Sequence, residues 1–143
     1  AQIRRLLEQL YSLQPTLQEP DYATGFRLLH ERSRKRALVV IFTDLVDADA
    51  SARLLAHVAA LHPRHLPLLV AIRDPDIEAA VRQIPRQIED AYQAAVAANF
   101  VTARERALSH LRTRGALVLD LLPSQLTVSA VNAYLRLKRA GRL

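Results

Sequence analysis

The chain has 143 residues, 50% hydrophobic and 24% charged, which suits one domain able to bury a core and argues against disorder. It has no Cys, so disulfide frameworks, thiolate nucleophiles, CxxC redox chemistry and Cys-ligated metal or iron–sulfur sites are excluded. The net charge of +6 rests on 18 Arg and 2 Lys, a skew that reports on genome composition more than on function, and no apolar run reaches the ~18–20 residues of a membrane span.

In chain order, Ile3, Leu6, Leu7 and Leu10 recur at helical spacing and end before Gln14-Pro15. The polar, proline-bounded stretch 16–20 reads as a loop. Asp21 caps a second helix predicted to run to about Arg34, with Phe26 and Leu29 inward. Ala37 to Phe42 is an unbroken apolar run, predicted as a strand buried on both faces. Asp47 or Asp49 caps the next helix, whose stripe is Leu54, Leu55, Val58 and Leu61 and which stops before Pro63. Leu66 to Ile72 is a second buried strand. Asp74-Pro75 opens a short helix over 75–82.

Pro85 interrupts. A long helix is then predicted over 86–114, with Ile88, Tyr92, Val96, Phe100, Ala107, Leu108 and Leu111 near one face, ended by Gly115. The third strand is Ala116 to Leu119, followed by Asp120 and Pro123. The last helix is capped by Thr127 or Ser129 and carries Val131, Tyr134 and Leu135. Strands alternating with amphipathic helices predict an α/β fold, a parallel sheet in three layers with helices on both faces. Residues 1–36 form a helical lead-in and 37–143 the strand/helix repeats of one partial domain. Three strands are few for such a sheet, and the chain, Met-free, opens at Ala1 within a helical pattern. It therefore reads as a piece of a longer protein with strands upstream.

In an open α/β sheet, ligands bind beyond the carboxyl ends of the strands. Each such end here carries an acid: Asp44, Asp74 and Asp120, with Asp47 and Asp49 close to Asp44. Hard-cation coordination is one use of such a cluster. Capping is the ordinary use of Asp at strand-to-helix turns, and it accounts for Asp47, Asp49 and Asp74. Asp44 directly abuts its strand, several residues before the helix, and is the functional candidate.

The five His form no ligand set; His57, His62 and His65 fall at the opposite pole from the acids. There is no Gly-rich phosphate loop, no G-x-S-x-G elbow and no strand-borne nucleophile with a base in reach. No enzyme is expected. The basic run Arg32-Ser33-Arg34-Lys35-Arg36 follows a helix end, where cations complement the helix dipole, and no aromatic residues interleave with it to stack bases. A nucleic-acid partner is not expected.

Leu38-Val39-Val40-Ile41-Phe42-Thr43-Asp44-Leu45 resembles the fourth strand and acidic turn of von Willebrand factor A domains. With the segments from His65 to Pro75 and from Val131 to Leu143, and with Asp21-Tyr22 before the second helix, the chain resembles the C-terminal half of the bacterial family called domain of unknown function 58. The resemblance implies a von Willebrand factor A-like fold holding three of about six strands, in a cytoplasmic portion of a protein often anchored by N-terminal membrane helices. It implies a non-catalytic adaptor working with a MoxR-type AAA+ ATPase, with Thr43, Asp47 and Asp74 on the partner-facing rim.

The family's metal-ion-dependent adhesion site joins a D-x-S-x-S loop, a Thr from a second loop and an Asp after the fourth strand. Asp44 matches the last. The D-x-S-x-S string would lie before Ala1, and Glu19-Pro20 stand where the pattern places Gly-Thr. Mg²⁺ or Mn²⁺ binding thus needs the upstream segment. The missing first strand would pair beside Ala37–Phe42, so that edge is expected to recruit a second copy. Two rivals of other classes are a receiver-like phosphoacceptor domain, which needs an acidic pair on an early strand and a late strand-end Lys that neither Lys35 nor Lys138 supplies, and a basic nucleic-acid binder.

Overall fold

The computed structural model describes residues 2–14, 21–44 and 48–142. The elements are α1 (Gln2–Tyr11), α2 (Tyr22–Arg32), β1 (Leu38–Thr43), α3 (Ala48–Leu61), β2 (Leu66–Ile72), α4 (Pro75–Arg82), α5 (Ile88–Thr113), β3 (Leu117–Leu121), a short 3₁₀ turn (Pro123–Gln125) and α6 (Leu126–Arg139). The strands form one parallel sheet in the order β1-β2-β3. Leu38 stands opposite Leu66 and Thr43 opposite Ala71, while Leu68 meets Leu117 and Ile72 meets Leu121.

The central strand β2 explains the layers. Its residues from Leu66 to Ala71 are all buried, so neither face tolerates water and both require cover. On one face, Leu69 and Ala71 pack with Leu54 and Val58 of α3 and Leu108 and Leu111 of α5, with Tyr22 and Phe26 of α2 at the margin. On the other, Leu68 and Val70 pack against Ala133 of α6, with Leu117, Leu119 and Leu121 of β3 beside them. The result is the three-layer α/β sheet, with helices on both faces, expected from the sequence. No helix among the described residues is long and apolar enough to cross a membrane.

Local signals fall where the sequence places them in several elements. The Asp21 carboxylate accepts the Thr24 amide at 3.0 Å and Asp74 accepts the Asp76 amide at 2.8 Å, each opening its helix. Gly115 closes α5. At φ +86° it takes the left-handed conformation that side-chain-bearing residues resist, while its own N–H donates to Arg112 and that of Ala116 donates to Leu111. This Schellman turn lets the chain reverse straight into β3.

Other expectations are corrected. β1 is not buried on both faces: it is an edge strand with Val40 40% and Phe42 56% exposed, because α6 covers β2 and β3 and stops short of it. The first half of α5 does not face a core. Ile88 (84% exposed), Tyr92 and Val96 lie open, since 26 helical residues span about 39 Å whereas strands of five to seven residues cover roughly 17–23 Å. The buried positions of α5 are Ala97, Arg104, Leu108 and Leu111.

Asp120 lies within β3 and not after it. Thr127 and Ser129 lie inside α6 and cap nothing, because the 3₁₀ turn after Pro123 starts the helix earlier. Val131, Tyr134 and Leu135 are on its outer surface, while Ala133 and Leu137 are buried. Asp49 sits inside α3, so it is not that helix's cap; the loop at 16–20 and Asp47 lie outside the described residues.

At the amino ends of the strands, His65 is fully buried between α3 and β2, and neither ring nitrogen has a hydrogen-bond partner among the described residues. The His30 ring of α2 meets it edge-on at 6.0 Å. Burial, then the charges of Arg64 and His30, hold the His65 pKa below the ordinary 6.5. The folded protein thus binds this proton more weakly than the unfolded chain, and unfolding takes a proton up between the folded value and 6.5. Stability contributed by His65 is complete above pH 6.5 and declines as pH falls through that window. Urea unfolding at pH 7.5, 6.5 and 5.5 should show a midpoint that drops with pH, and His65→Phe should flatten the drop.

Candidate functional site

Asp44 and Asp74 follow β1 and β2 at the carboxyl ends of the strands, and Asp120 stands just before the last residue of β3 at the same pole. All three line one crevice of about 450 Å³ between the sheet ends, α4 and α5. β1 delivers Asp44 directly after Thr43, and Thr43 is itself the last paired residue of β1. β2 delivers Arg73 and Asp74, because the Arg73 amide donates to the Leu121 carbonyl at 2.8 Å and prolongs the ladder with β3 by one bond. Asp74-Pro75 then turns the chain immediately into α4.

The floor of the crevice is a chain of alternating charges that the sequence did not reveal. Arg104, on α5 and only 7% exposed, donates through Nη1 to the Asp44 carbonyl oxygen and through Nη2 to Asp120 Oδ1 at 3.1 Å. Arg73 places Nε 3.9 Å from the same Asp120 oxygen, and its Nη1 donates to Glu78 Oε1 at 2.7 Å. Arg82 donates to the other Glu78 oxygen at 3.1 Å. The Nε–H groups of Arg104 and Arg73 are buried with no acceptor among the described residues. The walls are apolar: Ile77 and Val81 from α4, Phe100 and Val101 from α5.

Arg104 was discoverable in principle. It falls at i+7 from Ala97 and four residues before Leu108, a single cation on an otherwise apolar stripe, and a buried cation demands a paired anion. What the sequence lacked was the phase of α5, set by the sheet it packs on. Without that phase, Arg104 looks like one more of the chain's many arginines.

This arrangement bears on metal binding. Among the described residues no three His, Asp or Glu side chains gather as a metal site, and the Arg104 guanidinium already stands against the Asp44 carbonyl and the Asp120 carboxylate. A second full cation there would be repelled. The described residues therefore do not by themselves fit Mg²⁺ or Mn²⁺. The opposite pole holds the basic run: Arg32, Arg34, Lys35 and Arg36 are exposed, and Arg64 donates to the Ser33 carbonyl at 3.3 Å. It is a solvated helix-to-strand connection well away from the crevice. No protein-family model, no curated protein and no solved structure matches this chain.

Removing Arg104 should loosen two strand ends at once. Arg104→Ala is expected to lower unfolding free energy by about 3 kcal/mol, because the partly buried Asp120 keeps only the more distant Arg73. Arg82→Ala, which breaks an exposed pair, should stay within about 0.5 kcal/mol of the parent. Equal effects in urea titrations would show that the Arg104 bridge does not tie the strands.

Proposed function

We propose that the chain is a non-catalytic protein-interaction module of von Willebrand factor A-like type, a member of the domain-of-unknown-function-58 group acting as adaptor to a MoxR-type AAA+ ATPase. The observation that carries the reading is the crevice: an open, apolar-walled, charge-lined concavity at the carboxyl ends of parallel strands, where α/β folds present their ligands. Five of its charged groups, Arg104, Asp120, Arg73, Glu78 and Arg82, pair with one another, and the exposed carboxylates beside them supply charge for recognition. On this reading Asp44 and Asp74 form the partner-facing rim with Thr43.

Isothermal titration of the chain with such an ATPase tests the reading. Saturable binding is expected, weakened at least tenfold in the double variant Asp44→Asn/Asp74→Asn. The amide at position 74 keeps the helix cap, so the loss reports on charge at the rim. Unaltered affinity in the double variant, or no binding by the parent, would sink the proposal.

The β1 edge supplies a second contact under the same reading. β1 pairs with β2 alone among the described residues, and its exposed Val40 and Phe42 make the adjoining sheet surface apolar. A second copy offers the identical edge, and a two-fold axis would join the two sheets through antiparallel β1 strands. Light scattering over a concentration series should show a dimer, and Phe42→Lys should shift the chain to monomer. A parent that stays monomeric at high concentration contradicts this contact.

A further inference from the structure

The crevice has a charge character opposite to that of the chain around it. The whole chain is +6, yet five of its 14 acidic residues line this one concavity, against three arginines. Those arginines are engaged: Arg104 and Arg73 flank Asp120, and Arg73 and Arg82 share Glu78. The carboxylates of Asp44 and Glu105 have no ion-pair partner among the described residues, and Asp74 accepts only the amide of its own helix. The rim is thus left with a negative surplus in an otherwise basic molecule.

Local structure accounts for part of this and leaves the rest. Asp74 has a capping duty. Glu105 has none: it stands mid-helix on α5, exposed, beside the cavity mouth. The apolar wall lies outside the two sheet cores, since Ile77, Val81, Phe100 and Val101 belong to neither packed cluster. Packing of α4 on α5 half-buries Ile77, Phe100 and Val101 and leaves their remaining surface facing the crevice. Acidic rim and apolar wall face the same 450 Å³, a volume in the range that takes a small ligand or one or two side chains and far too small for a helix.

Resting on the reading of the chain as an interaction module, we infer that the crevice captures an extended segment of a partner polypeptide through an apolar side chain next to a lysine or arginine. The apolar side chain fills the wall of Ile77, Val81 and Phe100. The neighbouring cation reaches Asp44 and Glu105, its aliphatic stem lying along the apolar surface. Burial of the apolar group provides the affinity, and the rim charge provides the discrimination, because a carboxylate in the same place meets uncompensated negative charge. Phosphate-bearing ligands are rejected on the same ground.

The test is an NMR titration of the full ¹⁵N-labelled chain with three blocked tetrapeptides: acetyl-Gly-Leu-Arg-Gly-amide, its Leu-Glu counterpart and its Gly-Arg counterpart. The Leu-Arg peptide should give saturable shifts centred on Ile77, Val81, Phe100, Val101 and Glu105. The other two should bind at least tenfold more weakly. Asp44→Asn/Glu105→Gln, two exposed amide replacements whose spectra report directly on folding, should weaken Leu-Arg binding at least fivefold and leave its shift pattern in place. Absence of saturable shifts, equal binding of the Leu-Glu peptide, shifts centred elsewhere, or an unchanged affinity in the double variant would each overturn the inference. If the Leu-Arg peptide fails while the ATPase still binds through Asp44 and Asp74, this inference alone falls. If both fail, the interaction reading falls with it.

Discussion

One guanidinium joins the framework of this protein to its surface. Arg104 reaches from α5 to the end of β1, through the Asp44 carbonyl, and to Asp120 in β3. In a parallel sheet the outer strands meet only through the central one. A side chain that spans both therefore fixes the width of the crevice mouth independently of the backbone ladder. α4 is tied to the same crevice separately, by the Arg73–Glu78 ion pair.

The bridge also decides what kind of site the crevice is. Aspartates at strand ends invite a metal-ion reading, and the resemblance to von Willebrand factor A domains strengthens that expectation at Asp44. In the folded chain a resident cation is already present as arginine, neutralising Asp120 and standing against Asp44. Two further arginines neutralise Glu78. What remains is an acidic rim over an apolar wall, the surface that the proposed recognition of a partner's side chains would use.

The distribution of burial follows the same logic of cover. β2 is hidden on both faces and anchors the two cores. β1 and β3 are edges, and the helices above them leave β1 half open. At the amino ends of the strands, burial holds the His65 pKa below its ordinary value, whereas at the carboxyl ends Arg104, Asp120, Arg73 and Glu78 stand in a chain of ion pairs.

The sequence by itself determined the element order, the α/β class, the caps at Asp21 and Asp74, the turn at Gly115 and the gathering of acids at one pole. These are read locally: apolar runs, helical periodicity and capping chemistry involve residues within a few positions of each other. Only the tertiary structure decided which stripe of α5 and α6 is inside, that Ile88 and Tyr92 overhang the sheet, that β1 is an exposed edge and that Arg104 is buried on Asp120. Each of these depends on the phase and length of one element against another far away in the chain. That relation is set by packing, and no local pattern encodes it.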